Sequence, residues 1–231
     1  MTGKRTAIVT GASLGFGRAV ARTLVEAGWE VVIDGREREA LEAAAVDIGA
    51  RPLVGDVTDE AHRSRLLDLP RLDLLVNNAS TLGPSPLPPL EKYPLEGLRR
   101  VLETNLVAPL ALIQLALPLL VRSRGAVINV TSDAGIEAYP GWGGYGASKA
   151  ALDQLSSVLG IEHQEVAFWA LDPGDMRTRM HQEAFPGEDI SDRPLPEQVV
   201  GDVIALIEAR PPSGRYRAAE FAGPTPAEVT A

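Results

Sequence analysis

Tyr145 and Lys149 stand four positions apart in the run Tyr145-Gly146-Ala147-Ser148-Lys149, and Ser132 lies thirteen positions before the tyrosine. If a helix begins at about Tyr145, the phenol and the ammonium share one of its faces. A phenol titrates near pH ~10 and is a poor base at neutrality. A cation held beside it favours the phenolate and lowers that value. A tyrosine so placed gives a proton to, or takes one from, a substrate oxygen. Ser132, just past the apolar strand-like run Ala126 to Val130, is placed to hydrogen-bond the same oxygen. Tyr-x-x-x-Lys alone is an ordinary helix start, and its weight comes from Ser132 and from a glycine cluster near the N-terminus.

That cluster is Thr10-Gly11-Ala12-Ser13-Leu14-Gly15-Phe16-Gly17. It follows a short β-prone run, Thr6 to Val9, and precedes an amphipathic helix with Ala19, Val20, Leu24 and Val25 on one side and Arg18, Arg22 and Glu26 on the other. Strand, glycine turn and helix form the context a dinucleotide pyrophosphate requires. Glycines permit positive φ and close backbone approach, and the helix start offers free amide donors. The spacing is G-x-x-x-G-x-G rather than the commoner G-x-G-x-x-G. Glu30 to Ile33 reads as a second strand ending in Asp34-Gly35-Arg36, where the adenosine ribose would lie. A carboxylate there suits the ribose hydroxyls of NAD, and a guanidinium suits the 2′-phosphate of NADP. Arg36 makes NADP the expected cofactor, with NAD the alternative if Asp34 reads the ribose. The competing account is that Arg36 and Arg38 merely open a solvated helix with Glu37 and Glu39.

The 231 residues, 45% hydrophobic and 23% charged, fit one soluble domain spanning 1–231 with a sizeable core. A net charge of −9 argues against a phosphate-backbone partner, so no nucleic-acid role is expected. With no cysteine, disulfides, thiolate metal sites and thiol nucleophiles are excluded, and no metal site is expected. The N-terminal apolar run is too short for a signal-peptide core. The longest apolar stretch, Leu106 to Val121, is 16 residues interrupted by Pro109, Gln114 and Pro118, which falls short of a membrane span. A cytoplasmic protein is the default reading.

The remaining chain continues the alternation. Leu41 to Ile48 completes a helix, and Pro52 to Val54 is a strand closed by Asp56-Val57. Asp56 either accepts from the adenine amine or is a capping or loop Asp, and Val57 is grouped with it at the cofactor. Leu72 to Val76 is a buried-type strand closed by Asn77-Asn78-Ala79-Ser80, whose asparagines hold strand ends, contact the cofactor, or divide these tasks. A proline-rich loop, Thr81 to Pro94, leads to a long helical region, Leu95 to Val121. That region is charged early and then apolar nearly all round, so it needs cover on every side, one side from the sheet and another from a partner subunit. Pro109 and Pro118 permit kinks in it. Asn105 reads as a buried structural amide. A helix from Tyr145 to about His163, a strand Val166 to Leu171, an irregular binding loop over about 175–196, a last helix Glu197 to Ala209 and an edge strand Arg215 to Phe221 complete the chain, with a disordered tail over about 222–231. Alternating strands and helices predict an α/β fold, a Rossmann-like doubly wound parallel sheet with helices on both faces.

Taken together, the glycine turn, Asn77-Asn78-Ala79, Asn105, Ser132, Tyr145 with Lys149, and Pro173-Gly174 resemble the short-chain dehydrogenase/reductase family in order and approximate spacing, over nearly the whole chain. The resemblance implies an oxidoreductase that interconverts alcohols and carbonyls with NAD or NADP. It makes Tyr145 the acid/base, Lys149 the group that lowers its pKa and holds the nicotinamide ribose, and Ser132 the group that positions the substrate oxygen. Asn105 would organise a water linking Lys149 to solvent, which displaces its structural reading. Gly11, Ser13, Gly15, Phe16 and Gly17 would lie along the phosphates, Asn78 and Ala79 near the ribose, and Thr178 near the carboxamide, with Pro173 and Gly174 also among the cofactor-binding residues. Gly35-Arg36 matches NADP-preferring members. Three residues depart from the pattern: Ser80 for the usual glycine, Asp172 before Pro-Gly, and Asp133 directly after Ser132, which either raises the Tyr145 pKa or points to solvent.

Trp142, Tyr139, Met176, Met180 and Phe185 read as an apolar substrate pocket or as hydrophobic cover. The expected partners are a small carbonyl or alcohol substrate and further copies of the chain, as homodimer or homotetramer. A non-catalytic NADP-binding sensor is the competing class, disfavoured because a sensor has no need of an activated phenol.

Overall fold

The computed structural model describes residues 3–222, so residues 223–231 of the expected tail lie outside it. Among the described residues seven strands form one sheet in the order β3-β2-β1-β4-β5-β6-β7, every pair parallel. They are β1 Thr6–Val9, β2 Glu30–Gly35, β3 Arg51–Val54, β4 Leu74–Asn77, β5 Ala126–Val130, β6 Ala167–Asp172 and β7 Gly214–Arg217. The central strands are continuous apolar runs because both faces are covered, as parallel sheets require. Alternation divides each strand between two cores. Val9, Ile33, Ile128 and Trp169 pack with Leu24 of helix α1 (Gly15–Glu26), Leu41 of α2 (Arg38–Ile48) and Leu206 of α8 (Pro196–Ala209). Ile8, Leu75, Val127 and Phe168 face the other way, toward Leu66 of α3 (Glu60–Leu66), Leu112 of α5 (Ala108–Ser123) and Leu159 of α6 (Gly143–Glu162).

The doubly wound sheet agrees with the sequence reading; the edge strand expected over Arg215 to Phe221 ends at Arg217 and gives way to a 3-10 turn, Ala218–Phe221, and three further local features differ. Residues 58–71, for which no element is expected, contain α3, capped by the Asp59 carboxylate, which accepts from Ala61 N at 2.9 Å. The long helical region is not uniform: α4 (Leu95–Leu102) passes into a π-helical segment, Glu103–Val107, before α5 begins. Pro109 sits in the first turn of α5 and Pro118 inside it, without ending the helix. The binding loop is only partly irregular, since α7 (Arg179–Ala184) lies within it, capped by Thr178, whose hydroxyl accepts from His181 N at 3.2 Å.

The helical span Leu95–Ser123 is 29 residues, longer than the apolar stretch alone, and by length and composition it is long and apolar enough to cross a membrane. In the fold, Ala108, Leu112, Ile113, Ala116 and Leu120 of this span are buried against the sheet, while Val107 and Leu115 are exposed. Leu112 anchors that contact at 1% exposure. Leu112→Ala is expected to lower the unfolding free energy by about 2–5 kcal/mol, while Val46→Ala on the solvent side of α2 changes it by less than about 0.5 kcal/mol. Urea unfolding midpoints of the two variants check this.

Candidate active site

In a parallel sheet every strand ends at the same edge. Here that edge carries the glycine turn after β1, Asp34-Gly35-Arg36 at β2, Asp56 after β3, Asn78-Ala79 after β4, Ser132 after β5 and Pro173-Gly174 after β6. The sheet order changes direction between β1 and β4, and a crevice opens there. One cleft is lined by Gly11, Ser13, Gly15, Phe16 and Gly17, by Arg36, Asp56 and Val57, by Asn78 and Ala79, and by Ser132, Tyr145, Lys149, Pro173, Gly174 and Thr178. Asn105 alone among the expected site residues lies behind the wall rather than on it.

The cofactor half is built from close backbone approach. Gly11 has φ +63°, and a Cβ there would stand 2.8 Å from Ala79 Cα. Helix α1 starts at Gly15 with no side chain capping its first amides, which leaves donors for an anion. Asn78 holds the turn: its Nδ2 donates to the carbonyls of Thr10 at 2.8 Å and Gly11 at 3.1 Å. The Thr10 hydroxyl accepts from the backbone N–H groups of Asn78 and Ala79, each at 3.0 Å. Asn77 donates across the sheet to Asn129 Oδ1 at 2.8 Å and is buried. Both asparagine side chains therefore bind protein.

Asp34 and Arg36 are sharply different. The Asp34 carboxylate is buried, accepting from Gly11 N at 2.6 Å and lying 3.0 Å from Nε2 of the fully buried His62. Burial raises its pKa, and its bonds to His62 and Gly11 oppose the rise. This carboxylate is thus consumed by the fold. Arg36 extends at the cleft rim, its side chain 71% exposed and its guanidinium 3.9 Å from the Asp56 carboxylate. Asp56 also accepts from Thr58 N and Thr58 Oγ1, each at 2.9 Å, so it works as a loop Asp while its position remains on the cleft.

In the chemical half, α6 begins two residues before Tyr145, and Gly146 is pressed so closely on the carbonyl of Ala134 that no Cβ fits. That contact brings the Tyr145 ring to the turn carrying Ser132. Lys149 is 2% exposed, and its ammonium donates to Val130 O at 2.7 Å and sits 5.4 Å from the centre of the Tyr145 ring. Burial lowers its pKa to about 8, and the Asp153 charge opposes the fall. Tyr145 does not show the expected lowering. Its phenol is raised, first by burial and then by the charges of Asp172 and Asp133, while the Ser132 and Ser80 hydroxyls pull it down. The cation lies over the ring and is bound to a carbonyl, so in the protein alone it is not the counter-charge of the hydroxyl.

Asp133 is bound locally rather than released to solvent. Ser132 Oγ donates to it at 2.9 Å and the exposed Tyr139 hydroxyl at 3.0 Å. Tyr139 stands outside the cleft, so of its two expected places, pocket or cover, it does not take the first. Trp142, Met176 and Met180 line the cleft, with Trp142 edge-on to Tyr145 at 5.7 Å; Phe185 backs Trp142 at 5.8 Å.

Asn105, in the π-helical segment, has a completely satisfied side chain. Its Oδ1 accepts from Ser80 Oγ at 3.1 Å and Thr81 N at 2.9 Å, and its Nδ2 donates to Thr81 O at 2.9 Å and Ser148 Oγ at 3.0 Å. Two acceptor and two donor positions are the full capacity of an amide. The side chain braces the 80–81 turn against α6. Sequence reasoning missed His62, Asp153 and Arg215. Arg215 Nε is 3.0 Å from Asp153 Oδ2, and its Nη2 is 3.1 Å from Asp172 Oδ2. Only Asp153 left a local signal, four residues after Lys149 on the same helix.

The Lys149 burial has a pH signature. Below pH 8 both folded and unfolded chains hold this proton and the desolvation penalty is present in full. Between about 8 and 10.5 the unfolded chain keeps the proton that the folded protein has lost, so this group makes stability rise with pH. Wild type is expected to gain stability relative to Lys149→Met by at most about 3 kcal/mol between pH 7.5 and 10.5. Urea unfolding of both proteins across that range measures it, and a constant difference would mean the ammonium is not desolvated.

A family model described as short chain dehydrogenase matches residues 5–189. Serine 3-dehydrogenase of Rhizobium radiobacter is 33% identical over 223 residues, covering 89% of this chain and 88% of that one. The solved structure of an oxidoreductase, YciK, from Escherichia coli superposes with a TM-score of 0.86 at 29% identity, covering 93% of this chain and 94% of that chain. A short chain dehydrogenase of Shigella flexneri, solved in complex with NADP, gives a TM-score of 0.85 at 28% identity, covering 93% and 97%. With the strand-end crevice, the glycine turn and the serine, tyrosine and lysine gathered beside it, these similarities make the chain a member of the short-chain dehydrogenase family, an oxidoreductase.

Proposed function

We propose that this oxidoreductase uses NADP to interconvert a small alcohol and its carbonyl, with Tyr145 as acid/base, Ser132 as the donor that holds the substrate oxygen, and Lys149 as the cation of the site. The observation that carries the reading is the convergence of these three side chains on one cleft with the glycine turn. The cradle fits a dinucleotide: Gly11 admits no Cβ, and the first turn of α1 offers uncapped amides. Arg36 is exposed at the rim beside Asp56, where its guanidinium can meet a 2′-phosphate, while Asp34 is occupied by Gly11 N and His62 and is not available to a ribose. The NADP in the Shigella flexneri relative supports the same choice.

When bound, the nicotinamide supplies or accepts the hydride. In the oxidative direction the Tyr145 phenolate takes the hydroxyl proton; in the reductive direction the phenol gives its proton to the carbonyl oxygen. Burial excludes water from that proton, and the nearby hydroxyls of Ser132 and Ser80 stabilise the phenolate. Ser132 turns from Asp133 to the substrate oxygen when a substrate arrives. Trp142, Met176 and Met180 present an apolar wall to the substrate.

The protein acts in the cytoplasm as a single domain and assembles as a homodimer or homotetramer. The exposed Val107 and Leu115 and the exposed Val158 and Ile161 of α6 supply the apolar surface for that assembly. Sedimentation velocity is expected to give a dimer or larger, and a monomer at micromolar concentration would remove the assembly.

The catalytic reading is tested by two variants. Tyr145→Phe is expected to lower turnover at least about a hundredfold while NADPH binding, followed by its fluorescence, changes little. Arg36→Ala is expected to weaken NADPH binding roughly tenfold and leave NADH binding unchanged. A fully active Tyr145→Phe would overturn the mechanism, and tighter NADH than NADPH binding by wild type would overturn the cofactor.

A further inference from the structure

Arg215 lies on β7, the last strand of the sheet and an edge strand, in a segment with no motif of its own. Its guanidinium nevertheless ends beneath the chemical half of the cleft. Nε donates to Asp153 Oδ2 at 3.0 Å, and Nη2 donates to Asp172 Oδ2 at 3.1 Å and to the backbone carbonyl of Ser132 at 3.1 Å. All three ionic groups are withdrawn from water, with side-chain exposures of 22% for Arg215, 13% for Asp153 and 6% for Asp172. Each acceptor touches the chemistry. Ser132 carries the hydroxyl of the site. Asp172 follows from β6 directly into Pro173-Gly174 and accepts from Gly174 N at 3.0 Å. Asp153 stands one turn along α6 from Lys149.

We infer that Arg215 is a positioning residue of the catalytic centre, fixing the backbone of Ser132 from below and offsetting the two buried carboxylates that flank Tyr145 and Lys149. The inference rests on the role proposed above for Ser132, Tyr145 and Lys149. The charged groups facing Tyr145 are Lys149 on α6, Asp133 in the turn after β5 and Asp172 at the end of β6. Those facing Lys149 include Asp153. The next cation along β7, Arg217, is turned to Glu137 at 3.7 Å and does not reach either buried carboxylate. Two carboxylates without Arg215 would leave unpaired buried charge beside a group that must itself become an anion. Even with Arg215 in place, the Asp172 charge raises the Tyr145 phenol.

The direction of the effect follows. Removing the guanidinium leaves Asp172 uncompensated, so the phenolate is disfavoured and its formation moves to higher pH. Oxidation of 4-nitrobenzyl alcohol with NADP needs the phenolate, so the rising limb of its pH–kcat profile moves with it. In Arg215→Met, kcat is expected to fall roughly tenfold through looser placement of Ser132. The limb is expected to shift upward by about one pH unit, with NADPH affinity unchanged. Arg215→Lys keeps the charge and loses the fork, so its limb is expected to stay in place while kcat falls. Arg215→Met combined with Asp172→Asn is expected to return the limb toward wild type. If Arg215→Met does not fold, the lysine variant and the double variant carry the same test.

A wild-type limb and kcat in Arg215→Met, with Tyr145→Phe inactive, would overturn the role of Arg215 while leaving the mechanism standing. The same upward shift in Arg215→Lys as in Arg215→Met would also overturn the charge argument. An active Tyr145→Phe would instead remove the mechanism on which the inference rests.

Discussion

A parallel strand cannot rejoin its neighbour without crossing back over the sheet, and that constraint organises this protein. Each crossover restarts at the same edge, so every segment that follows a strand is delivered to one side of the molecule. Residues separated by more than 160 positions, Gly11 and Gly174, therefore line one cleft. The sheet must also bury both faces, which explains strands of continuous apolar character and helices with one strongly apolar side. The chemistry is written almost entirely in the turns, because the strands and helices are occupied in making the edge.

At that edge the protein gathers charges that do not balance easily. Lys149 is buried deeply enough that its pKa falls to about 8, and Tyr145 is buried deeply enough that its phenol is raised. Carboxylates at 133, 153 and 172 surround the pair, and each is held by a donor: the Ser132 hydroxyl on Asp133, and the Arg215 guanidinium on Asp153 and Asp172. Buried ionic groups of this kind cost stability unless each is paired and hydrogen-bonded. The site therefore depends on its supporting shell. Asn105 belongs to that shell as well, since its amide joins the 80–81 turn to Ser148 on the helix that carries Tyr145 and Lys149.

What could be read from sequence was what lies close in sequence. The Tyr145 and Lys149 spacing, the glycine turn after β1 and the alternation of elements all express local periodicity, and they led to the parallel sheet and to the residues of the cleft. The sign of the Tyr145 shift was not legible, because burial depends on how α6 meets the turn at Ala134, a contact between distant segments. Nor was the role of Asn105, whose partners lie 24 and 43 residues away. Asp172 had no rationale as a single residue; its partner Arg215 is 43 positions on, in a strand marked by nothing but its position at the edge. Tyr139 was left between pocket and cover because a loop preceding a helix gives no indication of which ring turns inward.

Asp34 faces inward because side chains alternate along β2, and the next residue, Gly35, faces the adenosine side of the turn. A Cβ at position 35 would find Ser13 at 3.3 Å and Leu41 at 3.4 Å, tight but without a backbone atom among its nearest neighbours. Retooling this protein for the other dinucleotide is therefore a problem of positions 35 and 36, with the Arg36 guanidinium removed and room for a side chain at 35 made at Ser13 and Leu41. The acid already present one residue earlier is a structural tie that evolution, or an engineer, would have to leave in place.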